Sequence, residues 1–165
     1  MLSNRTLWTH TGRKVRFYDD LVKGRVITFN LAYTQCTGSC PTGFSRLAEI
    51  QEELGDALGR EVFMYTLSLD PENDTPRVLR EARENYGARK GWTFLTGTEA
   101  GVEEVRRSIG LYDSDPKVDA DRSQHSALLV LGNDRVQRWS RVPLGFKSDQ
   151  IHRALRRIWL PPDRW

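Results

Sequence analysis

The chain has few of the residues on which metal and disulfide proteins are usually built: two cysteines, three histidines and two methionines in 165 residues. Two cysteines cannot staple a small secreted scaffold, so a hydrophobic core must carry the stability. No apolar run approaches the ~20 residues that cross a bilayer. No charged segment followed by an apolar stretch opens the chain as a signal peptide would. A soluble body is expected, as a free protein or as the trimmed ectodomain of an anchored one. Internal repeats, low-complexity blocks and Pro/Gly/Ser linkers are also missing, so residues 1–165 are read as a single domain. Neither sign of charge dominates, with 25 Lys and Arg against 22 Asp and Glu. The basic residues are densest at Arg135, Arg138 and Arg141 and again at Arg153, Arg156 and Arg157. No set of stacking aromatics is interleaved with them, which argues for a solvated face and against nucleic acid.

What is present is an alternation of strand and helix patterns. Arg25 to Tyr33 alternates as a buried strand, with Ile27, Phe29, Leu31 and Tyr33 on one face. Phe44, Leu47, Ile50, Leu54 and Leu58 recur at helical spacing, with Gly59 as the expected stop. Glu61 to Leu69 reads as a second buried strand. Thr75 and Pro76 form a cap and first-turn pair for a helix carrying Leu79, Ala82 and Tyr86, which Gly87 ends. Trp92 to Leu95 is a short strand. Thr98 caps a third helix with Val102, Val105 and Ile109, closed by Gly110. Asp113 to Arg122 reads as polar and irregular. Ser126 to Leu131 and Arg135 to Ser140 read as a hairpin turning at Gly132-Asn133-Asp134. A last helix starts near Ser148, and the prolines of the tail should stop it. This order predicts an α/β, thioredoxin-like, three-layer domain with a mixed central sheet flanked by helices.

Both cysteines lie in Thr34-Gln35-Cys36-Thr37-Gly38-Ser39-Cys40-Pro41, directly after the first core strand. Cys36 and Cys40 stand four apart. On one helical turn both sulfurs face the same way; in a loop, Gly38 lets them approach. Either arrangement can form a disulfide or converge on a soft metal ion. The bland alternative is two unreactive buried thiols. Pro41 suits a helix start, and the positive end of a helix favours thiolate. A structural zinc site needs four closed ligands. The histidines are His10 and His152, expected to be solvated, and His125, which precedes the apolar strand at the mouth of the sheet. Two cysteines and one histidine suit copper(I), or copper(II) with an added oxygen ligand.

These residues resemble the Sco/SenC family, thioredoxin-fold copper-binding assembly factors of cytochrome c oxidase. The first family motif stands here as Tyr33-Thr34-Gln35-Cys36-Thr37-Gly38-Ser39-Cys40-Pro41. The second stands as Ser68-Leu69-Asp70-Pro71-Glu72-Asn73-Asp74-Thr75-Pro76, followed by Leu95-Thr96-Gly97 and the pair His125-Ser126. The resemblance implies that Cys36, Cys40 and His125 bind copper. It implies a metallochaperone that helps build the oxidase's binuclear copper centre, with the copper-centre subunit and another copper chaperone as partners. It implies a monomer in the periplasm, tethered to the inner membrane by an N-terminal helix missing here. Two positions depart from the family pattern: Thr37 stands where proline is common, and Gln124 where aspartate is common. Asp113, Asp115, Asp119 and Asp121 are the nearby carboxylates able to stand in for that aspartate.

Two further readings compete. A thiol–disulfide oxidoreductase would be an enzyme reducing the oxidase subunit's copper-ligand cysteines or other periplasmic thiols, with Cys36 and Cys40 as its redox pair. The spacing is one residue longer than Cys-x-x-Cys, and His125 stands where thioredoxins place a proline; both features favour metal. A peroxidase would want Thr or Ser three residues before its reactive cysteine, and Tyr33 is there.

Overall fold

A computed structural model describes residues 1–35, 40–121 and 127–165, without the side chain of Cys40. Its sheet has seven strands: β1 (Thr6–Thr9), β2 (Lys14–Arg16), β3 (Val26–Ala32), β4 (Val62–Ser68), β5 (Trp92–Thr96), β6 (Leu128–Asn133) and β7 (Arg138–Pro143). They lie in the order β2-β1-β5-β4-β3-β6-β7. β3, β4 and β5 run parallel, while β1 and β6 flank them antiparallel, so the sheet is mixed. The helices are α1 (Cys40–Leu54), α2 (Pro76–Asn85), α3 (Glu99–Ser108), α4 (Pro116–Ala120) and α5 (Ser148–Trp159).

The strand alternation creates two cores. Ile27, Phe29 and Leu31 face a core closed by Val102 and Val105 of α3 and by Phe17, Leu21 and Val22 of a π-helical turn. Val26 and Ala32 face the other, with Phe44, Leu47 and Ile50 of α1, Leu79 of α2, and Ile151 and Leu155 of α5. Helices thus cover both faces of β3, which is buried along its whole length. That is why its sequence is apolar on both faces. Inside the sheet, the Trp92 indole donates to Thr66 Oγ1 at 3.0 Å, and the Thr66 hydroxyl donates to Asn30 Oδ1 at 2.8 Å. This buried chain ties β5, β4 and β3 together.

Three boundaries differ from the sequence reading. α1 ends at Leu54, not at Gly59, because Gly55 takes φ of 51° and a short 3-10 turn follows. The β6–β7 turn comes after Asn133 and spans residues 134–137, with Gln137 at φ of 52°. The segment expected to be irregular contains α4, capped by the Asp115 side chain accepting from Lys117 N. The N-terminal segment forms the β1–β2 hairpin, and β1 extends the sheet beside β5. The caps at Thr75 and Thr98 stand where expected, accepting from Val78 N and Gly101 N.

Gly132 lies opposite Trp139 in the β6–β7 ladder. A Cβ at Gly132 would lie 2.2 Å from the Trp139 ring, so the ring packs directly on this residue's backbone.

Candidate metal site

β3 and β6 pair antiparallel from Val26↔Asn133 to Phe29↔Val130. The chain therefore leaves β3 at the end of the sheet where it enters β6. The first segment leads through Cys36 into α1, and the second leads through His125 into β6. Cys36, the Cys40 side chain, His125, Thr37, Gln124 and Ser126 lie outside the described residues. α1 begins at Cys40 with Pro41 in its first turn, and its first turn carries no acidic residue to offset the positive helix end. Among the described residues, no group of three or more His, Cys, Asp or Glu side chains could hold a metal ion.

The chain leaving β3 is held from behind by Asp74, which is fully buried. Its Oδ2 accepts from Thr34 N at 3.1 Å and from the Ser68 hydroxyl at 2.7 Å, and its Oδ1 accepts from the Thr34 hydroxyl. Ser68 Oγ in turn accepts from Asp70 N at 3.0 Å, and Asp70 O accepts from Asp74 N at 2.8 Å. The two motifs of the sequence reading thus meet through these bonds. The first supplies Thr34, two residues before Cys36, and the second supplies Ser68 and Asp74. Sequence reasoning gave Asp74 no role. The available signal was an aspartate just before a Thr-Pro helix start, in a loop that leaves β4 beside the end of β3.

The chain leading to β6 is held by a second carboxylate. Asp119 Oδ1 accepts from Arg106 Nη1 at 2.7 Å and from Asp113 N at 2.8 Å. Its Oδ2 accepts from Arg106 Nη2 at 2.6 Å and Arg107 Nη2 at 2.9 Å. The hydrogen bond from Arg106, followed by the other donors and guanidinium charge, holds the Asp119 carboxyl down at about 2. Asp119 is consumed by this knot. Asp115 caps α4, and Asp113 accepts from Asp115 N. These three carboxylates thus order the segment that leads towards His125, which itself lies outside the described residues.

Two histidines differ from expectation. His10 is half-buried, and its Nδ1 accepts from Phe94 N at 3.3 Å. Burial, then the nearby Arg83 charge, lowers its pKa to about 4, so it is a neutral structural residue. His152 is also partly covered, with Nδ1 3.4 Å from Glu53 Oε2.

A family model described as SCO1/SenC matches residues 3–160. The chain belongs to that family. Among SCO1/SenC relatives, the SCO1 protein homolog of Bacillus subtilis is 33% identical over 116 residues, which is 68% of this chain and 60% of that protein. The chain therefore matches less than two thirds of that relative's length. The structure of Bradyrhizobium japonicum ScoI with copper bound superposes with a TM-score of 0.75 at 25% identity, covering 96% of this chain and 99% of that one. BsSco, described as a member of the Sco family of cytochrome c oxidase assembly proteins and as having a disulfide switch, superposes at 0.73 and 23% identity, covering 94% and 92%. The SCO1/SenC fold is thus the expected thioredoxin-like plan. The β1–β2 hairpin closes one edge of its sheet and β7 the other.

Proposed function

We propose that this protein is a copper metallochaperone, with Cys36, Cys40 and His125 as the ligands of its cargo. The observation that carries the reading is topological. The cysteine-bearing and histidine-bearing segments both join the sheet at one end, and the copper-bound ScoI relative shares the fold over nearly its whole length. Two thiolates and an imidazole match a soft ion of low coordination number, either copper(I) or, with an oxygen ligand, copper(II). The receiving partner is the copper-centre subunit of cytochrome c oxidase. Residues 1–165 act as one monomeric unit in the periplasm, tethered to the inner membrane.

A second reading draws on the disulfide switch named for BsSco. Once Cys36 and Cys40 are oxidised to a disulfide, their sulfurs no longer serve as thiolate ligands, so oxidation releases or forbids copper. The same pair, when reduced, can pass two electrons to a disulfide on a partner. The test is anaerobic copper titration of the reduced protein, read by native mass spectrometry. The metallochaperone reading expects one copper per chain, lost in Cys36→Ser/Cys40→Ser and weakened in His125→Ala. No bound copper, with a readily cycling Cys36–Cys40 disulfide, would make the protein a thiol oxidoreductase.

A further inference from the structure

Parts of the sequence's two arginine groups meet at the end of the sheet opposite the candidate site, Arg135 and Arg138 from one and Arg156 and Arg157 from the other; Arg141 instead donates to Gly110 O, and Arg153 pairs with Asp149. β7 leaves its turn at Arg138, and Arg138 Nη1 donates to Arg157 O of α5 at 3.4 Å. Arg156 Nη2 donates to Arg164 O at 2.7 Å, which draws in the C-terminal tail, and Arg135 Nε donates to Gly24 O at 2.6 Å. Arg135, Arg138, Arg156, Arg157 and Arg164 thus gather at one corner. Among the described residues, none of the five forms an ion pair with a carboxylate. The arginines of α1 and α3 differ: Arg46 meets Glu49, and Arg106 and Arg107 meet Glu103 and Asp119.

Neutralising the end of α5 does not account for this surplus. A helix C-terminus carries only about half a negative charge, against five guanidinium groups. Two exposed apolar side chains accompany them: Val136 in the β6–β7 turn and Trp165 at the tail, each 55% exposed. The Trp165 indole donates to Leu160 O at 2.9 Å, which holds its ring in place. Guanidinium groups match phosphate geometry, and tryptophan favours the headgroup layer of a bilayer. Exposed arginines beside an exposed tryptophan suit a phospholipid headgroup layer, which offers both phosphates and an interfacial zone.

We propose that this corner docks the protein on anionic phospholipid headgroups, with Val136 and Trp165 entering the interfacial layer. The end of the sheet where β3 stops and β6 starts then faces away from the lipid. The proposal stands apart from the copper reading.

The test is cosedimentation of the full chain with vesicles of phosphatidylcholine alone and of phosphatidylcholine mixed with phosphatidylglycerol. Binding is expected with the mixed vesicles alone, falling as salt rises. Arg138→Gln, Arg157→Gln and Arg164→Gln should each weaken it about fivefold, and the triple variant about a hundredfold. In the parent protein, brominated phosphatidylglycerol vesicles should quench tryptophan fluorescence, and Trp165→Phe should remove that quenching. This second measurement does not depend on the triple variant folding. No binding to mixed vesicles at low salt, undiminished binding by a folded triple variant, or quenching unchanged in Trp165→Phe would each overturn the proposal. Retention on polyglutamate without vesicle binding would overturn it as well, and would assign the corner to an acidic protein.

Discussion

Asp74 stands behind the chain that leaves β3, and Asp119 stands behind the chain that leads to β6. Asp74 is held by two hydroxyls and an amide, whereas Asp119 is held by two guanidinium groups and an amide. Neutral donors act through distance and direction at short range. Guanidinium groups add charge, which salt can weaken. The entrance to the cysteine segment is therefore fixed by geometry. The entrance to the histidine segment is fixed by an ion-pair knot that responds to solution conditions.

The sharpest way to break this comparison is Asp74→Ala. It leaves the Thr34 amide and hydroxyl and the Ser68 hydroxyl without their acceptor, and should cost about 3 kcal/mol. Urea unfolding reads the loss, and copper affinity should fall with it. An unfolding midpoint equal to the parent's would refute the clamp. Asp119→Asn comes next, at about 2 kcal/mol, because Arg106 keeps Glu103 and the Leu111 carbonyl. Raised salt should shrink the Asp119→Asn effect and leave the Asp74→Ala effect nearly unchanged. Equal salt responses would erase the distinction.

Acid probes the Asp119 knot directly. Asp119 is lowered from 3.8 to about 2 in the folded protein, so the stability it contributes is complete above about pH 4 and is lost as pH falls towards 2. Asp119→Asn should flatten the stability profile in that window. His10 responds to acid in a higher window. Its lowered pKa means that stability is complete above 6.5 and declines as pH falls towards 4. An imidazole NMR titration should place its midpoint near 4, and a midpoint near 6.5 would show the ring to be solvated.

Much of this architecture was legible because local and global signals agreed. The alternation of Ile27, Phe29 and Leu31, the spacing of Phe44, Leu47 and Ile50, and the caps at Thr75 and Thr98 each carry a local signature that the fold retains. What was not legible depends on distant partners. His10 looks polar and exposed until β5 supplies the Phe94 amide that its Nδ1 accepts from. α4 is too short for a periodic pattern, and the segment around it is ordered by Arg106 of α3. Leu58 continues the helical spacing of α1, yet Gly55 stops the helix first, and Leu58 packs in the same core from beside β4. Cys36, Cys40 and His125 were read from motif and spacing, and the described residues reveal how the chain on either side of them is anchored.

The Trp139 ring resting on Gly132 has a metrical consequence. Successive residues of β6 serve opposite cores: Leu129 and Leu131 one, Val130 the other. A slip of one residue would exchange these faces and put a side chain beneath the ring. Gly132 thus sets the phase of β6, and through it the point, about 14 Å away along the strand, where the histidine-bearing chain enters the sheet.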